Sequence, residues 1–320
     1  MRKAIDLDGW RTDEQVVRAA WYYYKDGLTQ EEVARRLSVS RASVGRMLER
    51  ARKTELVTIS IAPASLASLT VADQLRERFG LEDALVIPDD GDTSLGQRAV
   101  NARLGLGAAE YVTNHLRASA ELGVGWGDTV ARVIAGIDLT STGPLNLVTL
   151  TGGVDGYLQS LTYSRGVSQS LTASVIPSPI IVSTPALAAA LRAEPTIDRV
   201  LSSARELLMA VVGVGTAAPD STLVQMGYLS LEETRSWGER GLVGDILGQF
   251  FDVDGNVLEL PIHDRRIGID LTDLRRIDKV VGVAGGSAKV DAILGALNGR
   301  YLDVLVTNES VAVELARRAR

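Results

Sequence analysis

From about Ala64 onward, short apolar runs alternate with segments of helical period, and this alternation constrains the fold more than any other feature of the chain. The runs are Ala84–Pro88, Glu121–Trp126, Leu145–Leu150, Leu207–Val214, Lys279–Ala284 and Val304–Val306. The spacing predicts helices over Leu95–His115, Asp128–Ile137, Lys289–Leu297 and Ser310–Arg318. A strand that is apolar at successive positions is buried on both faces, and such strands separated by helices form a parallel sheet covered on both sides. The expected fold class is α/β, with a large Rossmann-like parallel-sheet domain as the bulk of the chain.

Sheets of this kind bind ligands at the carboxyl ends of their strands, and glycines cluster there in this sequence. Gly125-Trp126-Gly127-Asp128-Thr129 leads into a helix, so its amides and the Thr129 hydroxyl can cradle an anion. Thr151-Gly152-Gly153 and Gly213-Val214-Gly215-Thr216 repeat the strand-to-glycine pattern. Gly285-Gly286-Ser287-Ala288-Lys289 adds a cation at a helix start, which suits an anionic ligand. One such turn is equally well explained as a sharp connection; four on one edge, one of them bearing lysine, favour a ligand site. None matches the dinucleotide fingerprint or the phosphate-binding loop of nucleotide hydrolases, so no nucleotide cofactor is inferred. Within Gly244–Asp252, Asp245 stands at the start of a β-run, where it can accept hydrogen bonds from a polyhydroxylated ligand, cap a helix or pair with an arginine.

The first sixty residues follow a different pattern. Thr29 with Glu32 three residues on forms a capping box. Val33, Ala34 and Leu37 follow at helical spacing, Ser38-Val39-Ser40 makes a turn, and Ser40 caps a second helix from Arg41 to about Lys53. Val44, Met47 or Leu48, and Ala51 fall on one face of that helix. Ser40, Arg41, Ser43 and Arg46 fall on the other face or at its start. Residues 35–53 hold seven Lys or Arg and one acid. Two short helices with a basic second helix form a helix–turn–helix, whose second helix enters the major groove of DNA, where arginine reads guanine and serine contacts bases or phosphate. An earlier helix is expected over Thr12–Lys25, capped by Thr12, with Val16, Val17, Ala20, Trp21 and the tyrosines Tyr22, Tyr23 and Tyr24 available to thicken the small core. Leu56–Ile61 alternates as a short strand would.

The net charge of −6 divides unevenly. Residues 1–60 carry twelve basic and nine acidic side chains, residues 61–320 twenty-two and thirty-one. A basic head on an acidic body directs the head toward DNA. The absence of cysteine excludes disulfides and thiolate metal sites, and the only histidines are His115 and His263, so no metal is expected. No apolar leader and no uninterrupted apolar run of membrane-spanning length is seen, so the expected location is the cytoplasm, away from membranes.

Taken together, these motifs resemble the SorC (DeoR-like) family of sugar-responsive bacterial transcriptional regulators over nearly the whole chain. The resemblance is carried by Gly27–Ala34, Ser38-Val39-Ser40-Arg41, Gly125–Thr129, Gly152-Gly153, Gly241–Ile246, Gly285-Gly286 with Lys289, and Val306-Thr307-Asn308-Glu309. It implies a helix–turn–helix DNA-binding domain over residues 1–60. It also implies a sugar-binding effector and oligomerisation domain, related to sugar-phosphate isomerases, over residues 61–320. It further implies homotetramers (dimers of dimers) and operator DNA binding, through Thr29, Ser40, Arg41, Ser43 and Arg46, that changes when a phosphorylated sugar binds. By the same resemblance Gly127, Asp128 and Thr129 would lie at the phosphate. Gly152, Gly153 and Gln159 would line the sugar pocket, Asp245 would accept sugar hydroxyls, and Lys289, after Gly285 and Gly286, would reach the phosphate. An acidic residue such as Asp128 beside a phosphate is unfavourable unless it points away, so an unphosphorylated sugar or polyol stands beside a sugar phosphate as the effector. Beyond residue 60 the only lysines are Lys279 and Lys289, which disfavours covalent capture of a sugar as an imine.

The expectation is a transcriptional regulator, most simply a repressor of carbohydrate or polyol catabolic genes, and not an enzyme. The alternative is a sugar-phosphate isomerase with an appended DNA-binding module. That reading needs a positioned acid–base pair, and the sequence offers only Asp245 with His263 as its conceivable partner. A third reading is a ligand-free architectural DNA binder.

Overall fold

The central sheet sets the frame of the larger unit. The structure is a computed structural model that describes residues 7–54, 56–57, 63–89, 96–116, 120–153, 170–216, 218 and 221–318. Seven strands lie side by side: β1 (Asp83–Ile87), β2 (Glu121–Val124), β3 (Leu145–Thr149), β4 (Leu171–Ser174), β5 (Met209–Gly213), β9 (Lys279–Val283) and β10 (Val304–Asn308). Their order across the sheet is β1-β10-β9-β5-β2-β3-β4, and every pair is parallel. From β2 the chain moves outward through β3 and β4, then returns to the other side of β2 as β5 and continues to β9. Connections therefore leave β2 and β5 in opposite directions, which opens a crevice at their carboxyl ends.

Alternation along the strands fills both faces. Leu122, Val124, Met209, Val211, Val281, Val283, Val304 and Val306 point to one side. There they pack with Leu104, Ala108 and Val112 of a helix over Gly96–His115 and with Val130 and Val133 of a helix over Asp128–Gly136. Val148, Ala210, Val212, Val280 and Leu305 point to the other side, against helices that include Pro195–Arg205, Val290–Asn298 and Glu309–Arg318. The expected runs and helices appear in these elements with small shifts at their ends, so the α/β class and parallel sheet are as the sequence implies.

The sequence does not foreshadow a small antiparallel sheet of β6 (Gly215–Thr216), β7 (Gly244–Ile246) and β8 (Gln249–Phe251). Only Val214 separates β6 from β5, so the second sheet grows from the carboxyl end of a central strand of the first. Leu247-Gly248 forms the two-residue turn between β7 and β8, with φ of 56° and 74°. Such turns require positive φ at both positions, a conformation unfavourable for leucine. A separate apolar cluster that includes Phe250, Trp237 and Ile262 packs around this sheet.

Contacts divide the chain into two units, Met1–Ala62 and Pro63–Arg320. In the first, α1 spans Leu7–Ala20 and continues as a π-helical turn over Trp21–Lys25, followed by α2 (Gln30–Leu37) and α3 (Arg41–Lys53). The helix thus starts five residues before the expected cap at Thr12. A threonine is tolerated within a helix and does not by itself begin one. Val16, Ala19 and Ala20 pack with Val33, Ala34, Val44, Leu48 and Ala51, but Val17, Trp21 and Tyr24 are exposed rather than in the core. A helix buries only one stripe, and Val16, Ala19, Ala20 and Tyr23 already fill it. Of the strand expected over Leu56–Ile61, Leu56 and Val57 form a bend, and the remainder lies outside the described residues.

Leu104 is fully buried between its helix and the sheet, whereas Leu106, two residues on, is 66% exposed. Leu104→Ala is expected to destabilise the chain by about 2–5 kcal/mol, and Leu106→Ala by no more than about 0.5 kcal/mol. Denaturant unfolding of the two variants, followed by circular dichroism, measures the difference.

Candidate effector site and nucleic-acid interface

The crevice between β2 and β5 holds a cavity of about 280 Å³. It is lined by Gly125-Trp126-Gly127 after β2, and by Gly213-Val214-Gly215 from the end of β5 to the start of β6. The helix Asp128–Gly136 starts from the first of these segments, with Gly127 as its N-cap at φ 123° and no side chain capping it. Unpaired amides at a helix start, reinforced by the helix dipole, favour an anion. Thr129, in the first turn, is buried and also lines the cavity.

Lys289 enters from the opposite wall. Its Nζ donates to the Val214 carbonyl at 2.9 Å, which holds the ammonium over the strand ends. Asp245 lies beside it on β7, paired in register with Gly215 of β6. A Cβ on residue 215 would stand 2.0 Å from Asp245 Oδ1, so only glycine leaves room for this carboxylate. Asp245 Oδ2 accepts from the Gly248 amide at 3.0 Å, and the Leu247 carbonyl accepts from Arg266 Nη1 at 3.2 Å. Arg266 is itself buried and paired with Asp270. The strained Leu247-Gly248 turn is thus pinned from both sides and fixes Asp245 in place. Burial pushes the Asp245 carboxyl up to about 6, against the Gly248 hydrogen bond and the nearby Lys289 charge, which favour the ionised form.

Asp128 lines the cavity, with its charge engaged by neighbouring side chains. Its Oδ2 accepts from Arg132 Nε and from Asn101 Nδ2, each at 3.0 Å. Partial burial raises its carboxyl, but these two hydrogen bonds and the charges of Arg132 and Arg98 outweigh that and hold it below its ordinary value. Gln97 Nε2 donates to Asn101 Oδ1 and to the Gly285 carbonyl, both at 2.9 Å, which completes a polar wall.

The structure therefore brings Gly127, Asp128, Thr129, Asp245 and Lys289 to one cavity. Gly285 and Gly286 adjoin it through Gln97: a Cβ on Gly286 would stand 2.1 Å from Gln97 Oε1. Gly152 and Gly153 are not among the lining residues. They sit one strand further along, where Gly152 packs against the Ser178 and Pro179 carbonyls and the Gly153 amide donates to Ser178. Gln159 lies outside the described residues. His263 is not in the lining either. Its Nε2 accepts from the Phe250 amide at 3.0 Å, and burial lowers its ring to about 4, so it is a neutral structural group. The sequence reading missed Gln97, Asn101, Ser221 and Thr222 as cavity residues. Gln97 and Asn101, four apart at the start of an otherwise Ala-, Gly- and Leu-rich helix, were a usable signal. Ser221, whose Oγ is buried without a hydrogen-bond partner among the described residues, had none. Also among the described residues, no group of three or more acidic or histidine side chains could hold a metal ion, and no helix is long and apolar enough to cross a membrane.

In the first unit the capping box forms as the spacing requires. Thr29 N donates to Glu32 Oε2 at 2.8 Å and Glu32 N to Thr29 Oγ1 at 3.3 Å, so the Thr29 side chain is committed to the helix start. Ser40 Oγ accepts from Ser43 N and shares a hydrogen bond with Ser43 Oγ, which accepts in turn from Arg46 Nη2 at 3.0 Å. Ser40, Ser43 and Arg46 thus form one exposed polar chain at the start of α3, with Arg41 beside it. Val44, Leu48 and Ala51 occupy the buried face.

Comparison with known proteins fits this geometry. The family model described as "Putative sugar-binding domain" matches residues 65–317. The transcriptional regulator LsrR of Enterobacter sp. (strain 638) is 36% identical over 304 residues, 94% of this chain and 92% of that protein. LsrR of Escherichia coli K12 is 35% identical over 318 residues, 98% of each. The chain belongs to the SorC family of transcriptional regulators. The full-length sorbitol operon regulator SorC from Klebsiella pneumoniae superposes with a TM-score of 0.71 at 28% identity, covering 98% of this chain and all of that one. A DeoR family transcriptional regulator from Listeria monocytogenes superposes at 0.69 and 25% identity over 78% of this chain. As a SorC-family regulator the chain joins a helix–turn–helix module to a sugar-binding domain, and the isomerase alternative is not favoured.

Asp245 generates a pH prediction. Its proton is held to higher pH in the folded chain than in the unfolded one. The stability this contributes is fully present below about 4 and is lost as pH rises through about 6. Asp245→Asn, which keeps a neutral acceptor for Gly248, is expected to raise stability at pH 7.5 by on the order of 2 kcal/mol and to leave it unchanged at pH 4. Denaturant titrations at the two pH values read both effects.

Proposed function

We propose that this SorC-family regulator is a cytoplasmic homotetramer, a dimer of dimers, that represses a carbohydrate or polyol catabolic operon. In this reading a sugar, polyol or sugar phosphate in the cavity changes the fit of paired α3 helices to operator half-sites. The observation that carries it is the polarity of the cavity. The cavity presents an uncapped helix start and Lys289, suited to an anionic group. It also presents the buried Asp245 with the hydroxyl side chains of Thr216, Ser221 and Thr222, suited to sugar hydroxyls. Because Asp128 is turned onto Arg132 and Asn101, it does not oppose a phosphate at the helix start. The DNA contacts are assigned to Ser40, Arg41, Ser43 and Arg46, with Thr29 acting by fixing α2. Gly152 and Gly153, one strand further along and outside the cavity lining, are given no effector contact in this reading. Binding rather than turnover is supported by the relatives being transcriptional regulators and by His263, the acid–base partner considered for Asp245, being engaged by Phe250 outside the cavity lining.

Thermal unfolding against a panel of sugars, polyols and sugar phosphates tests the effector half. A ligand at a hundred times its Kd should stabilise the chain by about 2.7 kcal/mol, and Lys289→Ala should abolish the shift for phosphorylated members. No shift with any member would favour the architectural reading. The DNA half is tested by quantitative footprinting. Arg46→Ala, which also removes the Ser43 hydrogen bond, should weaken operator binding by about 1–3 kcal/mol without altering effector binding.

A further inference from the structure

Among the described residues, three charged side chains line the cavity: Asp128, Asp245 and Lys289. The two carboxylates are held in different ways. Asp128 is half-exposed, and its ion pair with Arg132 offsets its charge. Asp245 has no such arrangement. It is buried, its Oδ2 accepts from the Gly248 amide, and a Cβ on residue 215 would stand 2.0 Å from its Oδ1. It has no room to turn toward β6, so the response left to it when an anion arrives is a change of charge.

The groups around Asp245 leave that change to it alone. β6 brings Gly215 and Thr216, and Ser221 and Thr222 bring hydroxyls, none of them charged. In β8, Phe250 lies opposite Asp245, and its amide donates to His263, whose ring burial keeps neutral down to about 4. Arg266, behind the Leu247 carbonyl, is paired with Asp270. Asp291, on the helix Val290–Asn298 that packs on β7, is paired with Arg318. Among these charges only Lys289 acts appreciably on Asp245. Burial outweighs it, so the carboxyl keeps its proton up to about 6.

We propose that Asp245 decides which charge class of ligand the cavity accepts: an anionic group held at the helix start and Lys289 binds together with one proton, which this carboxylate takes up from solvent. This rests on the reading of the cavity as an effector site with an anion position. A phosphate or carboxylate brings a second negative charge to poorly solvated surroundings that already hold one, and protonation of Asp245 removes the repulsion. Uptake of the proton raises the charge of the lining by one whatever the state of its neighbours. By linkage, an anion that prefers the protonated form binds more tightly as pH falls through the range in which Asp245 titrates. A neutral polyol has the opposite preference, because its hydroxyls donate to the ionised carboxylate.

Sulfate is the probe, since its charge does not change across the range used. Equilibrium dialysis of labelled sulfate against the full chain, at fixed ionic strength, is expected to show binding about fivefold tighter at pH 5 than at pH 7.5. Asp245→Asn should bind at pH 7.5 about as tightly as the unaltered chain does at pH 5, and change by less than about twofold between the two. Lys289→Ala should weaken binding by about tenfold at both. Binding that needs Lys289 but is equal at the two pH values overturns the proposal, as does a pH dependence that survives in Asp245→Asn. Either result leaves the anion reading of the cavity standing. Sulfate that does not bind, or that binds Lys289→Ala equally well, overturns that reading and the proposal with it.

Discussion

The candidate site depends on one close approach: the Asp245 carboxylate occupies the space that a side chain on Gly215 would fill. That contact brings the small sheet against the end of β5 and places a carboxylate in an apolar surround. It also closes the cavity opposite the helix start at Gly127. An ionised carboxyl there is costly, and the structure offsets the cost only in part, through the Gly248 amide and the nearby Lys289. Leu247 adds backbone strain in the left-handed region, held by Arg266 from below. Strain and a poorly solvated charge at one spot are features that a folded core alone would not retain. A polyhydroxylated ligand would supply the donors that the buried carboxylate lacks.

The charge arithmetic of the site is equally specific. Asp128 at a helix start would cancel the attraction of that helix for an anion if its charge faced the cavity. Arg132, one turn along, and Asn101, from the neighbouring helix, take up its Oδ2 instead. The net result is an Asp128–Arg132 pair that offsets the carboxylate, with Lys289 and the uncapped amides as the cationic elements of the lining. Arg132 also lines a shallow apolar groove between the helices Gly96–His115 and Asp128–Gly136, so the polar wall of the cavity is tied directly to the outer surface of the helix layer.

Much of this was legible in the sequence, and the parts that were not have physical reasons. Continuous apolar runs ending in glycine identified the strands and their carboxyl edge, because burial on both faces and sharp exits leave those marks locally. Ser40 and the Thr29–Glu32 pair were legible because capping is decided within four residues. Gln97 and Asn101 were missed because their role arises from the sheet order, which brings a helix start against β2 and β9 from far away in sequence. The exposure of Trp21 was missed for the converse reason. Aromatic residues at helical spacing look the same whether they face a core or a partner, and only the prior filling of the stripe by Val16, Ala19 and Ala20 decides between them.

The walls of the cavity come from segments well separated in sequence: Gln97 and Asn101, Gly125–Thr129, Gly213–Thr216, Asp245–Leu247 and Lys289. Their apolar neighbours belong to the two faces of the main sheet, Ile246, Leu247 and Val290 to one and Val130 to the other. A ligand held at once by Lys289, by the amides at Gly127 and by Asp245 has to bridge both. Its binding free energy then depends on how those groups sit relative to one another, and it favours whichever arrangement lets every contact form. A ligand that met only one wall would bind without shifting anything, however tight the contact. The distribution of polar groups around the cavity, more than the strength of any one of them, is what suits it to couple ligand binding to the arrangement of its walls.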